Sequence, residues 1–245
     1  MKKIFKIHPF TYMLLLIVVL TGHFNDYMAF MILIVIHELG HIMSSLLFRW
    51  KIDSIIILPL GCITKYNELI NRPLYQEFIV ASMGIIIQLI IYLLFFRNNK
   101  IFFYGNLFII AFNMLPIIPL DGSKLLNVLF NKLFSFKLSY ILSYCLSYII
   151  LIILIVVSII YKDIVLMITF LPLLYNLVKE YNNINNIINK FYLERYLYDL
   201  KFDNYRLVKG KNINKMKKDY YHIFINNNKI YTEQEILKDM YINKC

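Results

Sequence analysis

Residues 31–48 read MILIVIHELGHIMSSLLF. This stretch is largely apolar, and its only ionisable residues, His37, Glu38 and His41, form a short cluster near its centre. An apolar run of this length predicts a helix that crosses a membrane. An ionisable side chain that faces lipid at that depth carries a large free-energy cost, so the cluster indicates a functional site within the membrane.

The spacing of the two histidines indicates metal binding. His37 and His41 lie four residues apart, which places both imidazoles on one face of a helix. Such a pair can bind one metal ion, and Glu38 beside it can take a proton from water at that metal. The alternative is a set of polar side chains that hydrogen-bond between helices without a metal. The three residues together favour the metal site.

A second polar signal follows the fourth apolar segment, where residues 113–122 read NMLPIIPLDG. Catalytic zinc usually has three protein ligands, so the histidine pair needs one more. Asp121 is the only acid between Glu77 and Asp163 and is therefore the candidate. The prolines free backbone groups, which membrane proteins tolerate where those groups line a cavity. The alternative is that Asp121 caps a helix over 123–134.

The composition places the whole chain in a membrane. Of its 245 residues, 60% are hydrophobic and 17% are charged, whereas a soluble domain has about 25% charged residues. These values exclude a soluble cytosolic enzyme. Three cysteines in so long a chain are too few for a disulfide framework, and the absence of CxxC spacing argues against a zinc ribbon.

The apolar segments and the basic residues between them predict the topology. We predict about six transmembrane helices, at residues 9–23, 27–48, 73–96, 101–118, 138–161 and 163–178. With a cytoplasmic N-terminus, 23 Lys and Arg residues lie on the inner side and 3 on the outer side. The positive-inside rule therefore predicts cytoplasmic N- and C-termini. The low content of Gly and Ala with abundant Asn, Ile, Lys and Tyr favours a bacterial cell membrane.

The predicted fold is an all-α polytopic membrane protein with two smaller additions. Residues 1–178 form the membrane domain, and residues 179–245 form a cytoplasmic α+β tail. Within residues 51–64, Ile55–Ile57 has strand propensity and predicts a short membrane-associated strand. If it lies at a sheet edge, an unwound substrate could pair with it. The alternative is a buried strand with no role in substrate binding.

The tail carries its own local signals. Residues 191–207 predict a helix near the membrane surface, and residues 220–231 predict two strands around an asparagine turn. Thr232 and Glu235 form a capping box that opens a helix over 233–241. The net charge of +11 is divided between the two parts of the chain without a dense basic block, which predicts no nucleic-acid partner. Substrate docking and membrane anchoring are the open roles for the tail.

The combined motifs carry a family resemblance. HELGH in a transmembrane helix, followed by NxxPxxPxDG after a later one, resembles the site-2 protease family of intramembrane zinc metalloproteases. The spacing is most similar to the branch that contains a sporulation protease, which processes a membrane-tethered pro-sigma factor. The resemblance implies zinc (Zn2+) bound by His37, His41 and Asp121, with Glu38 as the catalytic glutamate.

Two weaker matches support the resemblance, with departures. LPLGC at residues 58–62 resembles the family's PxGG loop, and ASMG…Q at residues 81–88 resembles its AxxGPxxN motif. Cys62, Ile85 and Gln88 replace the Gly, Pro and Asn of these motifs. Ser123-Lys124 also stands where Gly-Arg is common. None of these positions is an implied metal ligand.

The resemblance implies an intramembrane zinc endopeptidase that cleaves membrane-tethered protein substrates in the lipid bilayer, with membrane regulatory proteins as further partners. Asn113 is a candidate for contact with the substrate backbone or the oxyanion; the alternative is an amide satisfied between helices. The rival function is a polytopic metal-binding membrane protein or transporter without proteolytic activity. Glu38 discriminates between them, because hydrolysis needs a base and metal binding alone does not.

Overall fold

The computed structural model describes residues 5–7, 11–12, 19–22, 24–58, 61–198, 200–227 and 229–242. The main helices are α1 (Phe24–Leu47), α2 (Leu74–Ile91), α3 (Lys100–Asn113), α4 (Asp121–Leu133), α5 (Phe136–Ile160), α6 (Ile164–Leu197) and α7 (Glu233–Ile242). The strands are β1 (Phe5–Ile7), β2 (Ile52–Leu58), β3 (Gly61–Tyr66), β4 (Asn204–Lys209), β5 (Tyr220–Asn226) and β6 (Lys229–Thr232). A π-helical turn, Tyr92–Phe96, continues α2.

Long apolar helices make this a mainly helical, multi-pass membrane protein. Within the described residues, three helices are long and apolar enough to cross a membrane: Phe24–Leu47, Leu74–Phe96 and Phe136–Ile160. They correspond to the second, third and fifth predicted spans, and α3 is a shorter apolar helix. The predicted first span, 9–23, lies largely outside the described residues. The predicted sixth, 163–178, falls within the first half of α6, so the count of six stays a prediction.

The chain folds as two compact units. The first comprises Met1–Glu68 and Phe78–Met114, and the second comprises Leu69–Glu77 and Leu115–Cys245. In the first unit α1 packs against α3, with Leu33, Ile34 and Ile109 buried between them. The predicted division into 1–178 and 179–245 stays a prediction, and α6 runs through residue 178 without a break.

A three-stranded sheet in the first unit has the order β1-β2-β3. β1 pairs in parallel with β2, with Phe5 opposite Ile55, and β2 forms an antiparallel hairpin with β3. The predicted strand at Ile55–Ile57 is thus present, and of the two placements left open, a sheet edge and a buried position, the edge is wrong because β2 is central. The pairing with β1 joins distant parts of the chain, so no local pattern around Ile55 indicates it.

In the second unit, serines fix the segment that leads into α4. Ser139, Ser143 and Ser147 lie at every fourth position of α5 and are buried. Small residues at this spacing allow close helix packing in membranes. Ser147 Oγ donates to the carbonyl of Pro116 at 2.9 Å and accepts from the amide of Ile118 at 3.3 Å. These bonds set the path of the chain just before α4 begins.

The C-terminal part of the second unit is a small sheet with a helix. β5 pairs antiparallel with β6, which confirms the two strands predicted within 220–231. β4, which was not predicted, pairs in parallel with β5. The predicted capping box is confirmed. The amide of Glu235 donates to Thr232 Oγ1 at 3.2 Å, and the amide of Thr232 donates to Glu235 Oε2 at 2.9 Å. This reciprocal pair opens α7 one residue after β6 ends.

The predicted helix over 191–207 is correct only in its first part. α6 ends at Leu197, and β4 begins at Asn204. Val208 is buried while the four residues before it in β4 are exposed. The strand is stabilised by pairing with β5, which lies later in the chain, and sequence reasoning assigned the segment from its local charge and tyrosine pattern alone.

Three ionisable side chains are buried beneath this second sheet: Arg195, His222 and Glu233. Glu233 accepts from Arg195 Nη1 at 2.7 Å and from His222 Nδ1 at 3.2 Å. His222 Nε2 in turn accepts from the amide of Lys217 at 3.0 Å, so this imidazole is neutral. Burial lowers the pKa of His222. Burial alone would raise the pKa of Glu233, but its bonds to His222 and Arg195 hold that pKa below the ordinary value.

These shifts predict that acid weakens the C-terminal sheet. The pKa of His222 is lowered in the folded state, so His222 contributes fully to the free energy of unfolding above its ordinary pKa of 6.5. This contribution is lost as the pH falls below that value. The pKa of Glu233 is also lowered, so its contribution to the free energy of unfolding is lost as the pH falls below the ordinary value of 4.5. Between pH 7.5 and 6.0 we expect up to about a fourfold loss of hydrogen-exchange protection in β4–β6, after correction for intrinsic exchange.

The matched control for this prediction is His222→Gln, which removes the titrating imidazole. This variant starts with weaker protection, but its corrected protection should not change between the two pH values. Protection that rises on acidification in the natural protein would contradict the assignment of a neutral, buried His222.

Candidate metal centre

The histidine pair lies on one buried face of α1. His37 and His41 are each 6% exposed. Their rings meet edge to face with centroids 4.8 Å apart, and the two Nε2 atoms are 3.1 Å apart. The predicted spacing argument is therefore correct for this pair, because one helical turn brings both rings to a common point.

The other nitrogen of each ring contacts an oxygen supplied by α2. His37 Nδ1 donates to Oε1 of Gln88 at 2.9 Å, and His41 Nδ1 donates to the carbonyl of Val80 at 2.7 Å. Both oxygens can only accept, so the ring protons of the two neutral imidazoles lie on Nδ1. Each Nε2 then carries a lone pair.

At 3.1 Å the Nε2 lone pairs of His37 and His41 would repel each other unless a proton or a metal ion lies between them. Neutral imidazoles whose other ring N–H is bonded to a carbonyl or amide oxygen are the usual ligands of zinc. The arrangement of the pair therefore fits a bound metal ion.

Two glycines bring α1 and α2 close enough for these bonds. A Cβ on Gly40 would lie 2.4 Å from the carbonyl oxygen of Met83. A Cβ on Gly84 would lie 2.4 Å from His41 Nε2 and 2.9 Å from His37 Cε1. Contacts this short are not tolerated, so only glycine fits at either position. The space beside Gly84 is the space that the imidazoles occupy.

Asp121 lies in the first turn of α4 and is 3% exposed. The N-cap of this helix is Leu120, and no side chain caps it, so the alternative role of Asp121 as a helix cap is wrong. Its Oδ1 accepts from Lys124 Nζ at 2.7 Å. Asp121 belongs to the second unit and the histidine pair to the first, so its role as the third ligand stays a prediction.

Glu38 lies next to the histidines on α1 and is partly buried. Its Oε1 accepts a hydrogen bond from Thr64 Oγ1 of β3. This bond orients the carboxylate, and a carboxylate held in one orientation beside a metal site is suited to accept a proton. Sequence reasoning missed Thr64, because its contact depends on how β3 packs against α1.

Asn113 is the last residue of α3, and its side-chain amide donates to the carbonyl of Ile109 at 3.0 Å. This bond lies within its own helix, as is common at helix ends. The described contacts of Asn113 therefore match neither of its predicted roles directly, and its contact with a substrate stays a prediction.

Two further polar side chains near the histidine pair lie within apolar helices. Gln88 is fully buried in α2, and Asn106 is 5% exposed in α3. The sequence offered a signal for both, because polar residues in such helices often mark functional contacts. Sequence reasoning noted Gln88 as a departure from a family motif but did not link it to His37.

Comparisons with known proteins agree with the geometry. Residues 27–97 match Peptidase family M50. This match includes His37, Glu38, His41, Gly84 and Gln88, and it ends before Asp121.

A relative and a solved structure extend the comparison. The stage IV sporulation protein FB of Bacillus subtilis (strain 168) is 36% identical over 134 residues, which are 51% of this chain and 46% of that protein. The match thus spans less than half of that relative's length. The site-2 protease from Methanocaldococcus jannaschii has a TM-score of 0.58 at 19% identity, over 72% of this chain and 89% of that protein. This second likeness establishes a shared fold.

Proposed function

We propose that this protein is an intramembrane zinc endopeptidase that cleaves membrane-tethered proteins. The observation that carries the proposal is the buried pair of His37 and His41 with Glu38 beside it, and Asp121 is the proposed third ligand. A site that only binds or transports metal needs no carboxylate between the two histidines. The M50 match over residues 27–97 supports the same reaction class.

The proposed chemistry assigns one role to each residue. His37, His41 and Asp121 hold the zinc, which when bound lowers the pKa of water to about 7 and polarises a carbonyl. Glu38 accepts the proton of the attacking water and then delivers it to the leaving amine. Asn113, once its amide turns from Ile109, would donate to the oxyanion of the substrate.

Substrate binding is proposed at β3. A peptide carbonyl is hydrogen-bonded within a helix, so a substrate helix must unwind before it can be cut. In the described part of the chain β3 pairs with β2 and presents Thr64 to Glu38. An extended substrate that adds to the other edge of β3 would bring its carbonyls towards Glu38.

The setting of the reaction follows from the charge distribution. With both termini in the cytoplasm, α1 runs inward and the segment before Asp121 ends towards the inner leaflet. Cleavage there would release the product into the cytoplasm. The likeness to the stage IV sporulation protein FB supports a role in sporulation. A membrane-tethered regulator is the proposed substrate, and membrane proteins are the proposed regulators.

The test is cleavage by the natural protein reconstituted in liposomes with a tagged single-helix substrate. We expect cleavage that stops with 1,10-phenanthroline, continues with the non-chelating 1,7 isomer and returns when zinc is added. Elemental analysis should find one zinc per chain. Zinc that is bound and carried across the bilayer without any cleavage of tethered substrates would instead support the transporter.

A further inference from the structure

Two buried amides connect the histidine pair to α3. Gln88 and Asn106 each place a polar side chain among apolar helices, which is costly unless its groups are bonded. Gln88 Nε2 donates to Asn106 Oδ1 at 2.8 Å, and Gln88 Oε1 accepts from His37 Nδ1 at 2.9 Å. The three side chains form one directed chain of hydrogen bonds.

The direction of this chain decides where His37 carries its proton. Asn106 Oδ1 can only accept, so the amide nitrogen of Gln88 faces it and the amide oxygen faces His37. Were the Gln88 amide reversed, its N–H would face Nδ1 and the ring proton would move to Nε2. A proton on Nε2 would lie between His37 and His41, in the position that a metal ion needs.

His41 is held in a different way. Its Nδ1 donates to the backbone carbonyl of Val80. A backbone carbonyl, unlike a side-chain amide, cannot turn over and present an N–H group in place of its oxygen. Only the His37 tautomer therefore depends on side chains that can turn over. This difference makes Gln88 and Asn106 the adjustable part of the site.

We propose that Asn106 and Gln88 are positioning residues that lock His37 in the tautomer that binds zinc. Asn106 fixes the orientation of the Gln88 amide, and Gln88 fixes the proton of His37 on Nδ1. The inference rests on the proposed zinc site, and it assigns a function to an Asn–Gln pair that touches neither metal nor substrate. Losing such a partner of a ligating histidine typically weakens metal binding by about 10–100-fold.

The test compares zinc affinities of Gln88→Glu and Gln88→Met, measured at one pH by competition with a chromophoric chelator. A glutamate keeps an oxygen acceptor for His37 Nδ1, whereas methionine keeps the volume and loses the acceptor. We expect Gln88→Met to bind zinc about 10–100-fold more weakly and Gln88→Glu to bind more tightly than Gln88→Met. If Gln88 only packs between helices, the order is reversed, because a buried carboxylate disturbs packing more than a thioether.

A double variant tests the part played by Asn106. Asn106→Leu removes the acceptor that orients Gln88, so zinc affinity should fall. Adding Gln88→Glu to Asn106→Leu should restore it, because a carboxylate has no N–H to present to His37. A double variant no better than Asn106→Leu alone would overturn the proposal.

Two readouts separate this inference from the proposed function. The spectrum of the cobalt-substituted protein reports the ligand set directly, and size-exclusion and circular dichroism profiles exclude variants that fail to fold. If the natural protein binds no zinc, the proposed function itself fails. If it binds zinc and cleaves, and Gln88→Met binds equally well, only the tautomer lock fails.

Discussion

Replacing Glu38 with glutamine will leave zinc bound and reduce cleavage by about 10²–10⁴-fold, the usual contribution of a general base. The amide is nearly the same size as the carboxylate and can still accept from Thr64 Oγ1, so α1 and β3 keep their contact. It cannot take a proton from water. The measurement is the rate of cleavage of a tethered substrate in liposomes, together with the zinc content of the same preparation.

The matched control for Glu38→Gln is Asp53→Asn, which removes an exposed carboxylate from β2. It should leave both cleavage and zinc content near their natural values, because Asp53 has no assigned part in the site. The general-base assignment would be wrong if Glu38→Gln kept more than a tenth of the natural rate. It would also be weakened if the variant lost its zinc, since the defect would then lie in metal binding.

The sequence predicts well those structural features that are determined within one helical turn or one short loop. His37 and His41 share a face because four residues make about one turn, and the capping box at Thr232 depends on three consecutive peptide units. Both follow from local geometry, and both are present in the structure. Asp121 was found by elimination among acids rather than by geometry.

The parts that the sequence did not predict depend on contacts between distant segments. The central position of β2 depends on β1, and the orientation of Glu38 depends on Thr64 in β3. The link between Gln88 and His37 depends on the packing of α2 against α1, for which no sequence period exists. The strand at 204–209 is a similar case, because its partner β5 follows after a loop.

Replacing Gly84 with alanine will abolish zinc binding and reduce cleavage to background. The added Cβ would lie 2.4 Å from His41 Nε2 and 2.5 Å from its Cε1, well inside van der Waals contact. His41 cannot move aside without breaking its bond to Val80. The helices are already close, because a Cβ on Gly40 would lie 2.4 Å from the carbonyl oxygen of Met83. The rings must therefore rotate or the helices must separate, and either change disperses the metal ligands.

The expected loss of zinc binding in Gly84→Ala is opposite in direction to the effect that helix propensity alone predicts. In the interior of a helix, alanine is favoured over glycine by roughly 1 kcal/mol, so helix propensity alone predicts a more stable α2. The matched control is Gly105→Ala in α3, where the new Cβ meets only the flexible end of Leu33 at 3.1 Å. Gly105→Ala should keep zinc and activity, whereas Gly84→Ala should lose both in the same assays. Natural zinc affinity in Gly84→Ala would mean that the imidazoles do not lie against α2, and the proposed tautomer lock through Gln88 would fail with it.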